Sequence, residues 1–200
     1  MPNALTKQIE YAGTTKTVYG FDKSNSIEYY FDSDGFRNKL DCTVPPDIVF
    51  AGGSISFGIG VPYDKCYGQL VANELGLLGR NISYAQEYYD NEIIFETILQ
   101  LYQQVKNIPL VIQWVSDKRN PADKRSCYQL INETNRLFNN CIHLFIDGRE
   151  AKENLIADTF DLINPPWLDT VANSTHPGIK THQGLSKYIL KKLYDKTIIS

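Results

Sequence analysis

In Asp47-Ile-Val-Phe-Ala-Gly-Gly-Ser-Ile-Ser-Phe-Gly-Ile-Gly-Val61, an apolar run breaks into two glycines, a serine and a second glycine pair around Ile59. Such a run bounded by turn residues predicts a buried strand. In open α/β sheets, chemistry gathers beyond the carboxyl ends of the strands. Ser54 stands just past such an end and is therefore a candidate nucleophile. A serine hydroxyl needs a neighbouring base, and the chain has three histidines, His143, His176 and His182.

The remaining pattern repeats the alternation of strand and helix. Further strands are expected at Asn81–Ala85, Pro109–Val115 and Ile142–Ile146, after a first at Asp47–Ala51. A helical pattern opens at Pro62 and Asp64 and stops at Gly76 or Gly79. Another starts from a cap at Asp90 or Asn91 and carries Ile94, Ile98, Leu101 and Val105. A third is expected from the Asn120-Pro121 pair to about Asn139, a short one over Glu150–Ala157, and a last one over Lys180–Asp195. Strands apolar on both faces imply a parallel sheet between two helical layers. The predicted fold is α/β, a three-layer α/β/α sandwich with a mainly parallel sheet of about five strands. Residues 1–46 read as a polar, tyrosine-rich arm that wraps the 47–200 domain. The arm's expected features are short edge strands at Thr17–Phe21 and Ile27–Phe31 and a turn at Asp32-Ser-Asp-Gly35.

Composition excludes several functions. A net charge of -3 argues against nucleic-acid binding through a basic surface. The basic tail Lys187–Lys196 reads as a solvated helix face. The four cysteines are scattered, with no CxxC or Cys/His cluster of metal-ligand spacing, so no metal and no organic cofactor are expected. Buried free thiols fit a reducing compartment. The N-terminus lacks a signal-peptide pattern and no apolar run is long enough to span a bilayer, so a soluble, cytoplasmic protein is expected, with non-classical export left open.

Spacing narrows what the serine loop can do. A P-loop would carry Lys where Ile59 stands, and the glycines at 52, 53, 58 and 60 do not make G-x-G-x-x-G. A nucleotide-binding flavodoxin-like protein is therefore the weakest reading. The nucleophile elbow G-x-S-x-G fails at Ser56. Far downstream, Asn173-Ser-Thr-His-Pro177 lies just before the last helix, and Asp34-Gly-Phe-Arg37 lies upstream of the loop. Together with the serine loop and the spacing from His176 to His182, these stretches resemble the SGNH (GDSL-like) hydrolase family, from about Asp32 to Leu190. The resemblance implies a serine esterase for a small acyl or acetyl ester, with carbohydrate esters a plausible class. It makes Ser54 the nucleophile and His176 the general base. It puts the orienting acid three residues before that histidine and the oxyanion hole at the serine N–H, a second-block glycine and a third-block asparagine.

The chain departs from that pattern at several positions. Gly53 replaces the first-block aspartate. Asn173 stands at the acid position, with Asp169 a possible substitute. No glycine occurs near Glu87-Tyr-Tyr89, and Ser116 occupies the asparagine position in Trp114-Val-Ser-Asp117. Ser54 and Ser116 are thus the oxyanion-hole candidates. In Ser-His-Asp enzymes, an Asn at the orienting acid costs about 10⁴ in turnover, and loss of one oxyanion donor costs about 10²–10³. The alternative is accordingly a catalytically impaired binding or structural protein of the same fold. Tyr88 and Trp114 are candidates for substrate binding, Trp114 also suiting the core. His182 and His143 read as structural, Asp147 as a turn residue, Arg119 as an exposed loop residue. Ser54 itself could be a helix cap.

Overall fold

The computed structural model describes residues 11–19, 26–39, 43–85, 90–115, 125–145, 168–171 and 176–195. Strands β1 (Thr15–Tyr19) and β2 (Ser26–Tyr30) pair antiparallel as a two-stranded sheet of their own. The main unit then runs β3 (Ile48–Gly52), α1 (Ser54–Phe57), α2 (Tyr67–Leu75), β4 (Gly79–Asn81), α3 (Asn91–Gln100), α4 (Tyr102–Val105), β5 (Leu110–Trp114), α5 (Cys127–Leu137), β6 (Cys141–Phe145) and α6 (Ile179–Asp195). Among the described residues the main sheet has four strands, all parallel, in the order β4-β3-β5-β6.

Strand side chains point alternately to opposite faces, and this sorts one apolar run into two cores. Val49 and Ala51 of β3, with Leu110, Ile112 and Trp114 of β5, face α3 and α5 and meet Ile94, Ile98, Leu130 and Ile131. Ile48, Phe50 and Val111 face the other way, against Tyr67 and Val71 of α2 and Leu185 and Ile189 of α6. This is the expected three-layer α/β/α arrangement. The helix over Asn91–Val105 is broken at Leu101 into α3 and α4, and Asp90 caps α3 by accepting the Ile93 N–H at 3.1 Å. Among the described residues α5 begins at Cys127; the Asn120-Pro121 pair expected to start the third helix lies outside them. Ser126 and Gln129 form a capping box there, each side chain taking the other's backbone N–H. Residues 146–167, including the expected helix at Glu150–Ala157, also lie outside the description.

α3 and α5 are joined by Arg125, whose Nε and Nη2 donate to the two carboxylate oxygens of Glu92 at 2.9 and 2.6 Å. The guanidinium also lies 4.8 Å from the centroid of the Phe95 ring. An Arg125→Ala variant is expected to lose about 1–2 kcal/mol in urea unfolding. Arg125→Lys recovers only part, since an ammonium cannot match the two-pronged fork.

The segment before β3 is anchored to the edge of the main sheet. The Asp32 carboxylate accepts the N–H groups of Asp34 and Phe36 at 3.0 and 2.9 Å, building the expected turn. The Asn38 side chain then accepts the Asn81 N–H at 2.9 Å and donates to the Asn81 carbonyl at 3.0 Å. One amide side chain thus occupies the edge of β4 as a neighbouring strand would. Cys66, Cys127 and Cys141 are buried and form no disulfide among the described residues. No helix of the described residues is long and apolar enough to cross a membrane.

Candidate active site

Gly52 ends β3 with φ +156°, and a Cβ there would lie 2.8 Å from the Gln113 backbone oxygen and 2.5 Å from Ser56 Oγ. Only a residue without a side chain lets β3 pass β5 this closely. The chain then turns into α1, whose N-cap is Gly53 and whose first residue is the half-buried Ser54. Capping therefore does not account for the serine. α1 closes at Gly58, in the left-handed conformation at φ +78°, which a side chain disfavours.

Three side chains distant in sequence fix this turn. The Gln113 Oε1 accepts the Gly53 N–H at 3.1 Å, and Gln113 Nε2 donates to the Trp114 carbonyl at 2.6 Å. Asn81 Nδ2 donates to the Ser56 carbonyl at 2.7 Å. Arg37, fully buried, donates to the carbonyls of Phe57, Gly58 and Val61 at 2.8, 2.7 and 2.7 Å. Ser56 Oγ and the Tyr67 hydroxyl are hydrogen-bonded beneath the turn. Burial pushes the Tyr67 hydroxyl well above its ordinary range, so it stays protonated.

The C-terminal block docks on the same turn. A Cβ on Gly60 would stand 2.6 Å from Val171 Cγ1, so the serine loop and residue 171 are in contact. The Val171 N–H donates to the His176 carbonyl at 2.9 Å, and Thr170 bridges to Pro177. His176, half-buried, is therefore carried by a segment packed on the loop that carries Ser54. Six residues on, the buried His182 Nδ1 accepts the Tyr67 N–H at 3.1 Å, and its ring stacks on Tyr67 at 5.8 Å between centroids. His182 is structural, as its place near the helix start suggests. Burial, then the nearby Arg37 charge, push it down to about 4.

Asp169 occupies the start of α6. Its carboxylate accepts the N–H groups of Lys180 and Thr181 at 2.9 and 2.7 Å and the Thr181 hydroxyl at 2.9 Å. Burial pushes this carboxyl up, but these bonds outweigh it and hold Asp169 below its usual value. The carboxylate's bonds thus go to capping α6. Trp114, expected either in the core or at a pocket wall, is 1% exposed and donates its indole N–H to His143 Nδ1 at 3.0 Å. His143 Nε2 in turn lies 3.0 Å from Asn135 Oδ1. Both rings serve the core, because their polar atoms are spent on each other and on α5. Tyr88, Ser116, Arg119, Asp147 and Asn173 lie outside the described residues. Among the described residues no group of three or more His, Cys, Asp or Glu is arranged to hold a metal ion.

Sequence reasoning did not single out Gln113, Asn81 or Tyr67. Gln113 carries a visible signal, since it is the one polar residue inside Pro109-Leu-Val-Ile-Gln-Trp-Val115. A polar side chain in a strand buried on both faces must find a partner there.

Comparison with known proteins supplies the fold's relatives. No protein-family model matches the chain, and no curated protein matches it significantly. Among solved structures, a carbohydrate esterase family 2 enzyme with a carbohydrate-binding domain from Corynascus thermopiles (Myceliophthora fergusii) superposes with a TM-score of 0.52. The match has 12% identity over 78% of this chain and 68% of that one. A member of the lipolytic protein G-D-S-L family from Veillonella parvula superposes with a TM-score of 0.51, at 15% identity over 72% of this chain and 96% of that one. The chain has an SGNH-like α/β fold.

Proposed function

We propose that this chain is an SGNH-type serine esterase acting on a small acyl or acetyl ester, with carbohydrate esters the favoured class. The observation that carries the reading is the docking of the His176 segment onto the turn that begins with Ser54, through Gly60, Val171 and the His176 carbonyl. The solved relatives named as a carbohydrate esterase and a G-D-S-L lipolytic protein share the fold and suggest the substrate class.

In this mechanism His176 takes the Ser54 hydroxyl proton as Oγ attacks the ester carbonyl. The tetrahedral oxyanion is received by the Ser54 backbone N–H, one of the donors that a helix start leaves unpaired. The Ser116 hydroxyl is the proposed second donor. His176 returns the proton to the departing alcohol, and water then releases the acyl group by the same steps. With Asp169 engaged at α6, Asn173 is the proposed orienting group for the imidazole, through its carbonyl oxygen. An amide there leaves the imidazolium without a compensating charge, so a slow enzyme is expected.

That same lack of a carboxylate at 173, with Gly53 in place of an acid, favours a second reading: an SGNH-fold binding module without turnover. A fluorophosphonate probe separates the two. The esterase reading expects stoichiometric labelling located at Ser54 by mass spectrometry, absent in Ser54→Ala, with hydrolysis of p-nitrophenyl acetate that also depends on Ser54. Wild-type protein that stays unlabelled after prolonged exposure would leave the binding module.

A further inference from the structure

Arg37 is a fully buried cation, and among the described residues no carboxylate lies within ion-pair distance of it. Burying a charge without a counter-ion is costly unless its donors are satisfied. Here three of them go to backbone carbonyls, those of Phe57, Gly58 and Val61. The Tyr29 ring centroid lies 4.1 Å from the guanidinium carbon and that of Phe57 at 5.3 Å, and the two rings meet edge to face, so the fork packs in the corner they form.

Each of the first two carbonyls belongs to a peptide group whose N–H side is bound to Ser54. The peptide joining Phe57 and Gly58 receives Arg37 at its carbonyl and shares its N–H between the Ser54 carbonyl at 3.1 Å and the Ile55 carbonyl at 3.0 Å. The next peptide receives Arg37 at the Gly58 carbonyl and donates the Ile59 N–H to the same Ser54 carbonyl at 3.2 Å. Two parallel chains of hydrogen bonds thus run from one guanidinium to the backbone of one serine. Polarisation of a carbonyl strengthens the N–H of the same peptide as a donor, so the two chains are cooperative. The Asp34-Gly-Phe-Arg37 stretch and the serine loop, read as separate pieces in the sequence, become one device.

We propose that Arg37 is the positioning residue of the site: it fixes the backbone of Ser54, and through it the hydroxyl and N–H that the reaction uses. The catalytic part of the proposal rests on the reading of Ser54 as a nucleophile; the mechanical part does not. Lysine keeps the charge and most of the length but cannot reach three carbonyls in a fork, so Arg37→Lys is the informative variant. Amide hydrogen exchange and the rate of fluorophosphonate labelling are to be measured on the full chain, wild type and variant, with the folded fraction set by circular dichroism.

The expected result is a selective one. Protection at Gly58 and Ile59 falls about tenfold or more while the α6 amides keep theirs, and labelling slows about 10²-fold, the scale of a small misplacement of a reacting group. The core variant Ile131→Ala, which weakens the fold away from the serine turn, is expected to lower stability without slowing labelling of the folded protein. Unchanged protection and labelling in a folded Arg37→Lys variant would overturn the proposal, as would labelling losses that follow stability alike in both variants. If the wild type is not labelled, the esterase reading fails and the exchange measurement alone decides the positioning role. If Arg37→Lys does not fold, wild-type exchange decides: Gly58 and Ile59 amides opening only with global unfolding support the staple, and exchange at exposed-loop rates refutes it.

Discussion

An alanine at Gly52 is expected to destabilise the protein by on the order of 3–5 kcal/mol, a large share of what a domain of this size has to lose. The added Cβ meets Gln113 on two sides, its Cβ and its backbone oxygen both at 2.8 Å, and Ser56 Oγ at 2.5 Å. The side-chain contact offers little relief, because Ser56 is held by the Tyr67 hydroxyl beneath it. The backbone contact offers none, because Gly52 and Gln113 are register partners of β3 and β5 in the middle of the sheet. The φ of +156° adds a backbone conformation that L side chains rarely adopt. Relief therefore requires β3 and β5 to separate at their carboxyl ends. That displaces the Gln113 carboxamide from the Gly53 N–H, one residue before Ser54. A lowered urea midpoint with an unchanged slope, accompanied by slower labelling of Ser54, is the expected measurement. A loss below about 1 kcal/mol, the ordinary size of a point-mutation effect, would mean that the carboxyl ends of β3 and β5 yield more easily than their geometry implies.

The layers were legible in the sequence because burial on both faces leaves a direct trace. The run at Ile48–Ala51 is apolar throughout, those at Leu110–Trp114 and Cys141–Phe145 are broken only by Gln113 and His143, and period-two geometry divides them between two cores. Helix limits were less legible. Residues 101–105 continue the apolar pattern of α3, yet the axis breaks at Leu101 into a separate turn. At the next helix Ser126 and Gln129 form a reciprocal cap, a pairing that the sequence reading passed over. Ser54 was legible because glycine, strand and serine are neighbours in the chain. Its supports were not, since Gln113, Asn81 and Arg37 reach the loop across separations of 60, 25 and 21 residues. Local pattern carries no record of such pairings. What it does carry is the oddity of each residue, a glutamine inside an apolar strand or an arginine after a tight turn.

The absence of carboxylates at positions 53 and 173 takes on a physical meaning beside these supports. Gly53 contributes its N–H to Gln113 and a compact cap to α1. The order of the serine turn thus comes from neutral amides and one buried cation. Asp169, the acid nearest in sequence to His176 within the described segments, anchors the helix that follows it. The serine turn therefore keeps its shape without a carboxylate at position 53.

The second large effect is expected in acid: stability should fall by about 3 kcal/mol between pH 6.5 and 4 through His182 alone. Burial, and after it the Arg37 charge, lower this imidazole from 6.5 to about 4, with Asp169 pulling weakly the other way. Between those two values the unfolded chain binds a proton that the folded one refuses. The unfolded state therefore holds more protons, and stability rises with pH across that window. The contribution is complete above pH 6.5, is lost as pH falls toward 4, and changes no further below. The structure gives the reason. Nδ1 accepts the Tyr67 N–H, so a proton there would set donor against donor, and among the described residues the buried Nε2 has no hydrogen-bond partner to help carry the charge. His182→Gln, whose carbonyl oxygen can take the same N–H, removes the titration while leaving an acceptor. Urea unfolding of both proteins at steps from pH 7 to 4 should give curves that converge as pH falls, the wild type losing about 3 kcal/mol more than the variant. Parallel curves would show that the ring is hydrated in the folded state, and that the contact between α2 and α6 beneath the serine turn is looser than its stacking implies.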